Sequence, residues 1–177
     1  MMKKKTGFTL VELMVTLLVA AILLTVGVPS FLETIRRNRT TSQANELVTA
    51  LNLARSEAVK RSMQVTVLRM GIEWEDGWDV FVDEDGDGSL DPDVDTLIQK
   101  YAALSEGYTL RTDTIMAAWV TFLPSGLSIG GNADHDPTDQ NEPFRLCTDE
   151  QDKANGRTIT INSVGRIAVK AGTTSCP

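Results

Sequence analysis

One carboxylate inside an otherwise apolar run constrains this chain more than any other feature. Between Phe8 and Val28 the only charged residue is Glu12. The run is 21 residues long and would extend about 31 Å as a helix, which matches the hydrocarbon thickness of a bilayer. Lys3, Lys4 and Lys5 precede it, followed by the step Thr6-Gly7. Lysines on that side favour a cytoplasmic N-terminus and send everything after Val28 across the membrane. An ordinary secretory signal would have an uncharged apolar core with its small-residue cleavage site after it. Here Gly7 comes before the core, and the core holds Glu12. A carboxylate at that depth costs about 2.5 to 3.5 kcal/mol and calls for a partner. A cut between Gly7 and Phe8 would supply one, because the new α-amino group lies four residues before Glu12 and could neutralise it on a neighbouring helix.

After the span the chain has room for one further domain, since it is 177 residues long and 42% hydrophobic. The formal charge is −7, from 17 basic and 24 acidic residues; without residues 1–7, which hold three lysines, it becomes 14 − 24 = −10. So acidic a surface repels phosphate polymers except at a segregated basic patch. Pro29 should kink or locally melt the helix as it leaves the span. Ala44, Leu47, Val48, Leu51, Ala54 and Ala58 then recur at spacings of three and four, so an amphipathic helix is predicted over residues 30–62. Past Met63 the period changes, and strands are predicted at 64–70, 78–82, 96–102, 108–112, 119–123, 144–147, 157–162 and 166–170. Residues 128–143 read as a long polar connection. The expected fold class is α+β, a long N-terminal helix packed on antiparallel β-sheet.

The string GFTLVELMVTLLVAAILLTVGVPSF resembles the N-terminal signal of type IV pilins and type II secretion pseudopilins. That resemblance implies a leader of residues 1–7 removed by a prepilin peptidase, with Gly7 and Phe8 as the processing and methylation positions. Residues 8–29 become the transmembrane and filament-core helix, with Glu12 and Pro29 serving assembly, and residues 30–177 the periplasmic globular domain. Further on, LNLARSEAVKRSMQVTV, GWDVFVDEDGDGSLD, VTFLPSGLS, FRLC and ITINSVGRIAVK are similar to successive landmarks of the minor pilin and pseudopilin H group, the FimT, FimU or GspH type. The implied function is a minor subunit of a type IV pilus or a type II secretion pseudopilus, placed at the tip and priming assembly. Its implied partners are other minor and major pilins or pseudopilins, the prepilin peptidase and the inner membrane.

Three constellations could carry chemistry. Asp83, Asp85, Asp87, Ser89 and Asp91 fall in the pattern D-x-D-x-D-G-S-x-D, the opening of a calcium loop, although the position for its closing bidentate glutamate is Val94. The pattern reads equally well as an acidic hairpin loop that binds nothing, so Ca2+ is the only cofactor to consider. Cys147 and Cys176, the only cysteines, are expected to form a disulfide in an exported domain. Lys153, Arg157, Arg166 and Lys170 lie within eighteen residues and could form a phosphate-binding patch. Competence-type members of the resembled group carry a glycine-arginine motif near this place, followed closely by a second arginine. Here Gly165-Arg166 is followed only by Lys170, a point charge without arginine's fork, which leaves DNA uptake as the alternative function. Catalysis is not expected, because the single histidine, His135, sits in a polar stretch with no nucleophile context.

Overall fold

The helix α1 (Leu10–Arg61) supplies both parts of the chain, an apolar N-terminal half and an amphipathic C-terminal half. The structure is a computed structural model and describes residues 7–112, 118–131, 143–148, 153–173 and 175–176. It divides into two compact units, Met1–Asn38 and Arg39–Pro177. The expected melting at Pro29 does not occur, and α1 is helical on both sides of it. One proline costs about 3 kcal/mol, which a long helix of otherwise good formers absorbs without opening.

In the second unit, α1 buries Thr40, Ala44, Leu47, Ala50, Leu51, Ala54 and Ala58, a stripe at helical spacing. Its alanines let the rest of the domain approach closely, while Leu47 and Leu51, both fully buried, contribute about 2 kcal/mol each. Nine strands follow: β1 (Val65–Arg69), β2 (Trp78–Val82), β3 (Thr96–Tyr101), β4 (Tyr108–Arg111), β5 (Trp119–Phe122), β6 (Ser128–Gly131), β7 (Phe144–Thr148), β8 (Arg157–Ile161) and β9 (Ile167–Ala171). They make two antiparallel sheets, ordered β3-β2-β1-β5-β6 and β4-β7-β8-β9, where the sequence suggested only antiparallel sheet. Strand β6 corrects the expectation of an unbroken polar connection over 128–143. It pairs with β5 across the turn at Pro124-Ser125-Gly126. Its Gly130 and Gly131 contribute only main-chain bonds, so no side-chain alternation announces it. Residues 132–142 of that connection, with His135, lie outside the described residues.

The central strands β2, β1 and β5 of the first sheet are buried on both faces, while the edge strand β3 is largely exposed. Val65, Val67, Trp78, Val80, Val82, Val120 and Phe122 share one core with the helix stripe. Thr66, Phe81 and Thr121, at the alternate positions, are buried on the other face. A 3-10 turn, Trp74–Asp76, helps join the sheets. Trp74 meets Phe144 of β7 edge to face at 5.0 Å, and Glu75 accepts the Leu110 amide at 2.9 Å and the Arg111 guanidinium at 3.0 and 3.2 Å. Cys147 and Cys176 are bonded, with their Cα atoms 5.8 Å apart, which fixes the C-terminal segment to β7.

Candidate functional site

The residues expected to serve processing and assembly, Gly7, Phe8, Glu12 and Pro29, all lie in the first unit. A Cβ built on Gly7 would meet nothing within 4 Å, and Phe8 is 76% exposed. The Thr9 hydroxyl accepts the Glu12 amide at 3.2 Å, so Thr9 caps the helix where its dipole is positive and a carboxylate is favoured. Among the described residues no cation pairs with Glu12. From Leu10 to Leu32 every large apolar side chain is between 48 and 74% exposed. A helix apolar all round and bare on every side requires lipid or other apolar helices around it. Its 18-residue apolar window reaches a mean hydropathy of 2.5, long and apolar enough to cross a membrane.

The acidic loop after β2 is held by its own carboxylates. Asp83, 3% exposed, accepts the Gly86 amide on Oδ1 at 2.8 Å, and on Oδ2 the Gly88 amide at 3.1 Å and the Thr66 hydroxyl at 2.8 Å. The Thr66 and Thr121 hydroxyls lie 2.5 Å apart. Asp95 accepts the amides of Glu84 at 3.0 Å and Asp91 at 2.8 Å. Gly88 lies where a Cβ would approach the Trp119 indole to 3.1 Å, and its φ of +77° also favours glycine. Asp85, Asp87 and Asp91 each accept the amide two residues on, and Ser89 donates its hydroxyl to Asp87. The oxygens of Asp83, Asp85 and Asp87 converge within 4.8 Å of one another. Calcium takes six to eight oxygens; beyond this trio the Val94 side chain adds none, and Asp95 is turned onto loop amides. Burial pushes the Asp83 carboxyl above its ordinary pKa; the bonds from Thr66, Gly86 and Gly88 pull it back, and the nearby Asp95 charge adds to the rise.

The four basic candidates do not play one role. Arg157 donates to the carbonyls of Asn155 at 3.0 Å and Gly156 at 2.8 Å, and to the Thr41 hydroxyl on α1 at 2.9 Å. It therefore ties the second sheet to the helix. Lys153, Arg166 and Lys170 are exposed. Lys170 stands opposite Thr158 in the β8–β9 ladder, and Arg166 lies at the turn that begins the hairpin's return. The two stand four positions apart along an extended chain, about 13 Å. Sequence reasoning missed the contacts of Glu75 with Arg111 and of Arg55 with the carbonyls of Gly126 and Val164, both at 3.2 Å. No local motif marks residues that act only across long sequence separations.

Comparison with known proteins places these features together. The model of the family described as type II transport protein GspH matches residues 43–165. The prokaryotic N-terminal methylation motif matches residues 2–28. Among solved structures the fold is similar to the type IV minor pilin FimU of Pseudomonas aeruginosa, at 22% identity and a TM-score of 0.64, over 80% of this chain and 97% of that one. It is also similar to the minor pseudopilin EpsH of the type 2 secretion system of Vibrio cholerae, at 14% identity and a TM-score of 0.52, over 75% of this chain and 97% of that one. A search of curated proteins found no match.

Proposed function

This chain belongs to the type II transport protein GspH family of minor pilins and pseudopilins, and from that premise we propose that it occupies the tip of a type IV pilus or secretion pseudopilus and primes its assembly. The observation that carries the reading is the union, in one chain, of the GspH match with an N-terminal methylation motif on a bare apolar helix. The family is one of structural subunits, and the motif implies processing by a prepilin peptidase. The chain enters the inner membrane with its lysines cytoplasmic and its domain periplasmic. Cleavage after Gly7 frees the amine of Phe8, which is methylated. That amine then answers the Glu12 carboxylate of a neighbouring subunit as the helices pack.

A priming subunit acts on the number of filaments more than on their bulk. Deleting the gene should lower the count of filaments or pseudopili per cell, while those that remain keep their ordinary length. Mass spectrometry of the filament fraction should find this chain at a small fraction of the major subunit, beginning at a methylated Phe8. An unprocessed Met1 in filaments, or an unchanged filament count, would refute the proposal.

A further inference from the structure

Strand β9 is a free edge of the second sheet. The hairpin sets which of its main-chain groups stay open. Asn162 donates its amide to the Arg166 carbonyl at 3.2 Å, and the register then runs through Ile161↔Ile167, Thr160↔Ala168, Ile159↔Val169 and Thr158↔Lys170. Bonded and non-bonded pairs alternate along an antiparallel ladder. Ala168 and Lys170 therefore turn their N–H and C=O groups to β8, while those of Ile167, Val169 and Ala171 face outward. Among the described residues nothing meets them. Exposed edges are ordinarily blunted by lysines, a proline, a bulge or a covering element, and among the described residues β9 carries only the first of these, Lys170. This one has no proline, pairs with β8 without a register shift, and leaves Val169 45% exposed, with Val164 of the preceding turn 54% exposed.

Charge and shape select the occupant. Arg166 and Lys170, four residues apart, share one face of the strand direction in a chain whose net charge is −7. A groove of about 360 Å³ opens on that face, lined by Pro143, Thr158, Thr160, Lys170 and Thr173. A second copy pairing edge to edge would bring two such arginine and lysine sets together on one face, which is unfavourable. Duplex DNA has no main chain to complete the ladder, and Arg157 is already engaged with Thr41 and two carbonyls.

We propose that the β9 edge takes an extended acidic segment of another pilin-type subunit as an added strand. Its main chain bonds to Ile167, Val169 and Ala171, and its carboxylates lie along Arg166 and Lys170. The inference rests on the subunit reading above.

The test uses the full chain in cells that assemble the filament. A photo-crosslinking residue replaces Ala171, and the adduct is identified by mass spectrometry. The expected adduct is an acidic segment of a different pilin-type subunit. Val169→Pro removes an outward N–H and leaves the bonds to β8 intact, so the protein should melt as before while the adduct falls about tenfold or more, as loss of ladder bonds requires. The pair Arg166→Glu with Lys170→Glu should do the same. An adduct to a second copy or to DNA, no adduct at all, or an adduct indifferent to Val169→Pro would overturn the proposal. A wild-type chain absent from the filaments would instead overturn the subunit reading.

Discussion

The Thr66 hydroxyl donates to the buried Asp83 carboxylate at 2.8 Å, bonding the outer face of β1 to the loop that follows β2. Burial holds the Asp83 pKa above its ordinary value of 3.8. A carboxyl that binds its proton more tightly folded than unfolded contributes stability that is present below the ordinary value and is lost as pH rises through the folded one. Part of the domain's stability should therefore fall as pH climbs from 3.8 upward. Melting of the detergent-solubilised chain across that range, compared with Asp83→Asn, checks this. The substitution should flatten this component, and an identical slope in both proteins would contradict it.

Glu12→Ala should leave membrane insertion intact, because it makes the span more apolar, and should lower incorporation into filaments. An ion pair in apolar surroundings worth more than about 1.4 kcal/mol would cut the filament share about tenfold or more. Immunoblots of membrane and sheared-filament fractions would show it, and equal recovery of mutant and wild type would count against the pairing.

Removing the bridge with Cys147→Ser and Cys176→Ser frees a loop closed over a sequence separation of 29 residues. The chain-entropy estimate is about 3 to 4 kcal/mol, which corresponds to a fall of about 10 °C in a domain of this size. Calorimetry of both proteins measures it. A fall under about 2 °C would mean that the C-terminal segment is held by its other contacts.

Calcium at millimolar concentration should shift the melting temperature by less than about 2 °C, since Asp83 and Asp95 already close the loop onto its own amides. A larger, saturable rise that disappears in the pair Asp85→Asn with Asp87→Asn would assign a cation to the loop instead.

Periodicity made the helix legible, and turn residues made most of the strands so. The stripe from Ala44 to Ala58 is buried at its three-and-four spacing except for Val48, which is half-buried, and all eight expected strands lie within a few residues of their predicted bounds. Strand β6 escaped because glycines leave no alternation to read. The two-sided burial of the central strands of the first sheet escaped for another reason. Thr66 and Thr121 look like solvent-facing positions, and only the loop folding back through Asp83 and Gly88 covers them. Arg157 read as a surface cation because nothing in its neighbourhood reveals a bond to Thr41, 116 residues earlier. The disulfide was legible from compartment and count alone.

The bare cylinder of side chains from Leu10 to Leu32 also bears on what drives the subunit from one medium to another. Lipid tails and the flanks of sister helices are nearly equivalent solvents for leucine and valine, so the hydrocarbon part of this segment partitions between them with almost no preference. The direction of transfer is then decided by the few groups the two media treat differently, and from Leu10 to Leu32 only one of those, Glu12, is ionisable.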